Sequence, residues 1–355
     1  MYKKFFMGIA AMAALTLVSC SSDDLDSFSD NSSKNEAISF DGYLGRSAVA
    51  VNGSRGSVVK IDQLKTDGFG VFGNYNSTGG QNFGSNLFNN VKVTGKASTE
   101  GTTEGTKWTY DHVKYWPAQG HIDFLAYAPY VEGKALNTST TSTINFTVAD
   151  KAADQTDLLW ANAENQTKDN NPVKFTFNHA LAKIGYTVKL KETYSNATIE
   201  LTKITLAGSV DEKTNAFYTA GTIDLSKTSS TDLWTTSSSD AKQNFNWFSG
   251  TQKLDGTYNT PKTDYLFVIP QDFSQKTENA DKLYVIVDYT IKYTNHNNSE
   301  MAEMKSTVSS QIKNNFLQGK AYTINLTIGL TPIDFNVEVV NGWVDDNTIP
   351  EIPLN

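Results

Sequence analysis

Apolar and polar residues alternate with a period of two through much of this chain, the spacing of a strand that buries one face. In residues 283–293, Leu283, Val285, Val287, Tyr289, Ile291 and Tyr293 share one face, while polar residues enter the other toward its end. Residues 322–328 alternate more cleanly, with Tyr322, Ile324, Leu326 and Ile328 set against Thr323, Asn325 and Thr327. Segments 175–177, 185–190, 199–206, 265–269 and 334–340 read the same way, and the first structured segment is expected to open at 37–40. Between them lie polar stretches rich in Gly, Thr, Ser, Glu or Asn, at 95–106, 137–143, 162–171 and 226–242, which predict loops. Helical periodicity is weak, and residues 306–316 fit either one short helix or a strand at a sheet edge. Thr, Tyr and Phe suit pleated, half-buried surfaces, so the expected class is all-β.

The N-terminus departs from this pattern. Lys3 and Lys4 precede an apolar run at 5–18, which is 14 residues long. As a helix it would reach roughly 21 Å, short of a hydrocarbon core about 30 Å thick. It reads as a signal peptide over 1–19. Leu17-Val18-Ser19-Cys20 is similar to a bacterial lipobox, in which the cysteine is acylated and becomes the first mature residue. The other reading is an ordinary signal peptide with a chance cysteine. Residues 20–36, with Ser, Asp and Asn and little apolar content, then form a lipidated, disordered tether. About 335 mature residues allow two domains of ordinary size. The expected boundary lies near Asn178, giving domains at 37–177 and 178–355.

Charge and residue counts exclude several functions. Cleavage of the signal removes Lys3 and Lys4 from 30 basic residues and leaves 28 against 38 acidic ones. An acidic chain with few arginines is a poor partner for nucleic acid, which demands clustered positive charge. No cysteine follows Cys20, so disulfides, thiolate catalysis and cysteine-held metals are excluded. His112, His121, His179 and His296 include no pair at i,i+4 and no His-Glu-x-x-His motif. There is no Gly-x-Ser-x-Gly elbow and no phosphate-binding Gly-Lys-Ser/Thr loop. Asp154 and Asp157 stand three apart beside Leu158-Leu159-Trp160, and Asp157 reads as a turn or loop cap. No catalytic residue, metal site or cofactor is expected. Trp234 and Trp247, set among Ser, Asn and Gly, read as loop aromatics and as candidates for stacking on glycan rings.

Several phrases in order point to a family. They are Ile38-Ser39-Phe40, Phe69-Gly70-Val71-Phe72-Gly73, Trp108-Thr109-Tyr110 and Val113-Lys114-Tyr115-Trp116-Pro117. Ile122-Asp123-Phe124-Leu125-Ala126-Tyr127-Ala128-Pro129-Tyr130 and Asp157-Leu158-Leu159-Trp160-Ala161 follow. Phe175-Thr176-Phe177-Asn178-His179-Ala180-Leu181-Ala182-Lys183-Ile184 and Val339-Val340-Asn341-Gly342-Trp343 complete the set. Together they resemble the fimbrillin (Mfa-like, type V pilin) family of Bacteroidota surface lipoproteins. The resemblance implies two tandem transthyretin-like β-sandwich domains and export to the outer membrane through the lipid on Cys20. It also implies removal of the first strand by an arginine-specific protease and assembly with other fimbrial subunits by β-strand exchange.

The chain holds only two arginines, Arg46 and Arg55, against 28 lysines, and both follow the first predicted strand among small residues. They are the candidate processing sites. Cleavage after Arg46 would free 49–51 or 58–61 as a new mobile start. The donor strand could equally be C-terminal, where Phe335, Val337 and Val339 alternate with Asn336, Glu338 and Val340. Two functions stay open: a structural or accessory subunit of a surface fimbria, or a non-polymerising lipoprotein that binds a glycan or receptor on a host or bacterial surface.

Overall fold

Among the described residues, twenty-two strands form where alternation, or a short β-rich run, meets a partner. A computed structural model of the chain describes residues 36–45, 59–76, 87–96, 106–137, 141–228, 232–236, 241–257, 265–275, 277, 280–294, 300–329 and 334–340. In chain order the strands are β1 (Phe40–Leu44), β2 (Phe69–Asn76), β3 (Phe88–Lys96), β4 (Lys107–Thr109), β5 (His121–Ala128), β6 (Thr143–Thr147), β7 (Leu159–Gln166) and β8 (Val173–His179). They continue with β9 (Ala182–Leu190), β10 (Ala197–Ala207), β11 (Phe217–Tyr218), β12 (Ala220–Asp224), β13 (Trp234–Thr235), β14 (Lys242–Gln243) and β15 (Phe245–Lys253). The last are β16 (Leu266–Val268), β17 (Gln271–Asp272), β18 (Leu283–Thr294), β19 (Glu300–Ile312), β20 (Asn315–Phe316), β21 (Ala321–Ile328) and β22 (Asp334–Val340). One α-helix among the described residues, α1 (Ile61–Asp67), lies between β1 and β2. The protein is all-β in class.

Seven strands of the first half form one sheet in the order β1-β8-β7-β5-β2-β3-β4. Its neighbours are antiparallel except β1 and β8, which run parallel. The sheet curls until its end strands meet. A Cβ built on Gly42 of β1 would lie 3.1 Å from Trp108 Cζ2 of β4, so any side chain there would require the indole to give by a few tenths of an ångström. Inside the curl sits an aromatic core that includes Phe40, Phe69, Phe88, Phe124, Phe175 and Phe177.

The second half pairs two four-stranded sheets, β15-β10-β18-β19 and β16-β9-β21-β22, as a sandwich. Leu201, Leu206, Val285 and Val287 from one sheet and Ile184, Val188, Ile324 and Leu326 from the other belong to a single apolar cluster. The alternation of 283–293 is realised as expected. Leu283, Val285, Val287, Tyr289 and Ile291 are buried, and Tyr293 emerges at the end of β18. A third sheet, β13-β12-β6, joins the halves, because β6 of the first half pairs antiparallel with β12 of the second. Residues 177 and 178, where the domain boundary was expected, lie inside β8, so the chain passes from one apolar cluster toward the other along a strand.

Of the two readings left open for 306–316, the structure takes the strand at a sheet edge, since β19 runs through Ile312 and β20 follows. The Asn-rich stretch at 162–171 is not all loop, since β7 extends to Gln166. There the polar side chains serve the sheet: Asn162 donates to the carbonyls of Leu225 at 2.9 Å and Lys227 at 2.8 Å. Helix α1 gave no periodic signal because it is seven residues long and buries only Leu64. It is capped locally, with the Lys60 N–H donating to Gln63 Oε1 at 3.0 Å.

Candidate strand-exchange site

The first described segment, 36–45, is an inserted edge. Ile38, Phe40 and Gly42 are buried on one face, while Tyr43 on the other is exposed. This is the period-two pattern of a strand laid on a core. Along one side it pairs in register with β8, from Phe40 opposite Val173 to Leu44 opposite Phe177. The Val173 N–H donates to Ser39 O at 2.8 Å, and the Gly45 N–H donates to Phe177 O at 2.9 Å. At its start the segment bonds residues 114–116: the Ile38 N–H donates to Lys114 O at 2.8 Å, and the Trp116 N–H donates to Glu36 O at 3.0 Å.

Phe40 is the anchor. Its ring centroid lies 5.4 Å from Phe88, 5.4 Å from Phe124, 5.5 Å from Tyr110 and 5.7 Å from Phe175. Those four rings come from β3, β5, β8 and the turn after β4, so one side chain ties the edge strand to both ends of the curled sheet. Tyr110 donates its hydroxyl to Ile38 O at 2.8 Å. Burial pushes the Tyr110 hydroxyl above its ordinary range, which keeps it protonated as that donor.

Asn171 completes the clamp. Its Oδ1 accepts from the Ser39 N–H and from Ser39 Oγ, each at 2.9 Å. Its Nδ2 donates to Ala37 O at 3.0 Å and to Glu36 Oε1 at 2.7 Å. A side-chain amide here does what a neighbouring strand would do, beyond the point where β8 begins. Asn171→Ala is expected to cost roughly 1–3 kcal/mol, since each neutral hydrogen bond contributes about 0.5–1.5 kcal/mol net. The loss should concentrate in residues 36–39. Hydrogen exchange that speeds there while β18 stays protected is the expected result, and uniform exchange across both would contradict a local clamp.

Cys20, Arg46 and Arg55 lie outside the described residues. Gly45, bonded to β8, is the last described residue before Arg46. Beyond Arg55, Val59 is buried and its N–H donates to Asp157 Oδ2 at 3.4 Å, while Lys60 and Ile61 begin α1. In the uncleaved chain the stretch 59–61 is therefore anchored. Asp157 is fully buried with Oδ2 2.7 Å from His179 Nδ1. The C-terminal alternative donor, with Phe335, Val337 and Val339, is β22, an edge strand on β21.

The two candidate stacking tryptophans are not loop residues. Trp247 lies in β15, is 4% exposed and packs edge-on against Tyr186 at 4.7 Å, so burial leaves its ring no open face for a sugar. Trp234 lies in β13, half-buried against Phe146, and its indole N–H donates to Ala180 O at 2.6 Å. Among the described residues no group of three His, Cys, Asp or Glu side chains is arranged to hold a metal ion, and no helix is long and apolar enough to cross a membrane. Alternation at 38–40 was visible in the sequence. The clamp of Tyr110 and Asn171 was not, because it joins positions separated by 72 and 132 residues.

A family model for fimbrillin-like proteins matches residues 58–343. No curated protein matches by sequence. Among solved structures, a fimbrial protein of Bacteroides vulgatus superposes with a TM-score of 0.61 at 22% identity, covering 87% of this chain and 99% of that one. A Bacteroides uniformis protein provisionally assigned to cell adhesion gives 0.49 at 17% identity, over 87% of this chain and 99% of that one. At these identities the first likeness speaks to the fold alone, and the second adds no argument. The family model spans most of the chain, taking in the sandwich and every strand of the curled sheet but β1: the protein belongs to the fimbrillin-like family.

Proposed function

We propose that this chain is a structural or accessory subunit of a surface fimbria, delivered as a lipoprotein and assembled by strand exchange after cleavage behind β1. The observation that carries the reading is the way β1 is held. It sits at the edge of a sheet, in register with a single strand, with one phenylalanine in the core and an arginine just after its end. Cleavage at Arg46 would sever it from the body of the protein. Its departure would bare the outer edge of β8 and a pocket walled by Phe88, Tyr110, Phe124 and Phe175. Such a groove takes an extended segment by main-chain hydrogen bonds, with alternate side chains filling pockets. The incoming strand must offer an apolar residue at the place of Ile38, a large ring at that of Phe40, and a small residue at that of Gly42.

Keeping β1 in place until assembly hides an edge that would otherwise template aggregation. On this reading the lipid on Cys20 delivers the chain to the outer membrane and departs with β1 when the arginine is cut. The reading keeps two tandem transthyretin-like domains, 37–177 and 178–355. It is supported by two apolar clusters, one drawn wholly from residues 38–177 and the other mostly from 180–328. The function asks for no cofactor and no catalysis.

The test is the N-terminal residue of the protein recovered from cells, together with electron microscopy after digestion by an arginine-specific protease. Ser47 or Gly56 at the N-terminus and detergent-stable ladders are expected, and Arg46→Lys with Arg55→Lys should abolish both. A trimmed protein that remains monomeric at high concentration would sink the polymerising role.

A further inference from the structure

The longest edge strand of the described residues lies far from β1. Strand β19 is 13 residues long and closes the sheet β15-β10-β18-β19, with β18 on one side and no strand among the described residues on the other. Residues 302–305 are exposed one after another, so both faces of the strand stand open there, and Met304 is 48% exposed. An edge of this length presents a row of N–H and C=O groups to any strand that can match it.

The charges on β19 select the match. Glu303 and Lys305, on either side of Met304 in the chain, share the face opposite to it, since residues two apart lie on one face. We propose that β19 pairs antiparallel with β19 of a second copy of this chain, about a two-fold axis at Met304. In that register Glu303 of each copy faces Lys305 of the other, Met304 faces Met304, and Ala302 faces Ser306. Both charge pairs are opposite in sign, and the two methionines close an apolar seam. Moving the axis to Glu303 sets glutamate against glutamate, and moving it to Lys305 sets lysine against lysine. Like charges directly opposite are destabilising in a sheet, whereas opposite charges stabilise. An axis between Glu303 and Met304 leaves neither charge paired. The occupant that fits this edge is thus the strand itself, in one register. A two-fold contact of this kind is closed and joins two subunits side by side. It leaves the groove under β1 and its processing untouched, so it stands or falls apart from strand exchange.

The experiment uses the full mature chain, kept free of lipid by Cys20→Ser. Met304→Cys places two thiols on the axis, where opposed residues have Cβ atoms about 4.5–5.5 Å apart. Thr307→Cys places them six residues out of register, about 20 Å apart along the strands. Mild oxidation should cross-link Met304→Cys and spare Thr307→Cys. In sedimentation on the chain without added cysteines, Glu303→Lys and Lys305→Glu should each weaken self-association by about tenfold or more. Mixing the two variants should restore it, because the two lysines on the strand of one then face the two glutamates on the strand of the other. The double variant Glu303→Lys with Lys305→Glu should associate as the parent does. Equal melting temperatures would certify that each variant is folded. Cross-linking that is no faster at 304 than at 307, or a mixture no better associated than its components, would overturn the proposal.

Discussion

Phe40→Ala is expected to lower the free energy of unfolding by about 3–5 kcal/mol, the usual cost of truncating a buried phenylalanine. The residue is 2% exposed and its ring meets four others, from β3, β5, β8 and the turn after β4. Alanine would leave a void among Phe88, Phe124 and Phe175, three rings already fixed by one another and slow to collapse into the gap. The main-chain bonds of β1 to β8 would persist, because they do not depend on the side chain. Phe40→Leu, which keeps most of the volume, should cost less. Denaturant unfolding monitored by circular dichroism measures the difference. A loss below about 1 kcal/mol would show that the pocket under β1 contributes little, against the ordinary size of core truncations. If strand exchange is the function, the same substitution should also hasten release of the cleaved segment, since the anchor rather than the backbone bonds resists its departure.

His179→Ala is the second large effect. His179 ends β8, and Asp157 stands just before β7; both side chains are fully buried, with Nδ1 and Oδ2 2.7 Å apart. The Ala180 N–H donates to Leu158 O at 2.8 Å beside them, so the pair fastens the point where the chain leaves the first sheet for β9. Removing one partner strands a carboxylate inside, and such losses run to about 3–5 kcal/mol. Replacing both by apolar residues of similar volume is cheaper, because no charge is then left buried. A double-mutant cycle should therefore give a double variant less destabilised than the sum of the singles. Additive losses would show that the two groups do not act as a pair. Because Asp157 Oδ2 also accepts the Val59 N–H, Asp157→Ala should loosen the approach to α1 as well.

Much of the fold was legible in the residues. Alternation placed β8, β9, β10, β16, β18, β21 and β22, and it placed Ile38 and Phe40 at the opening of the series. In β8 the alternation and the final burial agree, whereas β9 and β16 are buried on both faces. The misreadings share a cause. Trp247 stands among polar neighbours in sequence, yet Tyr186 meets it from another sheet. Asn162 looks like a loop residue, yet two carbonyls more than 60 positions away accept from it. Polar composition marks a loop only when no distant partner satisfies the polar groups. Asp157, read as a cap, proved to be a buried carboxylate, because its histidine lies on another strand.

The sequence by itself determined the all-β class, the family phrases, the absence of any later cysteine, and the two arginines behind the first strand. Each of these is a matter of residue type and short spacing. Tertiary structure alone decided that β1 is an edge laid parallel to β8, that Phe40 fills a pocket built from the far end of the same sheet, and that Asn171 and Tyr110 hold the segment in place. It also decided that the 300–312 stretch is an open edge rather than a helix. Strand neighbours are chosen by contacts across long sequence separations, and a period of two says which face is buried without saying against what.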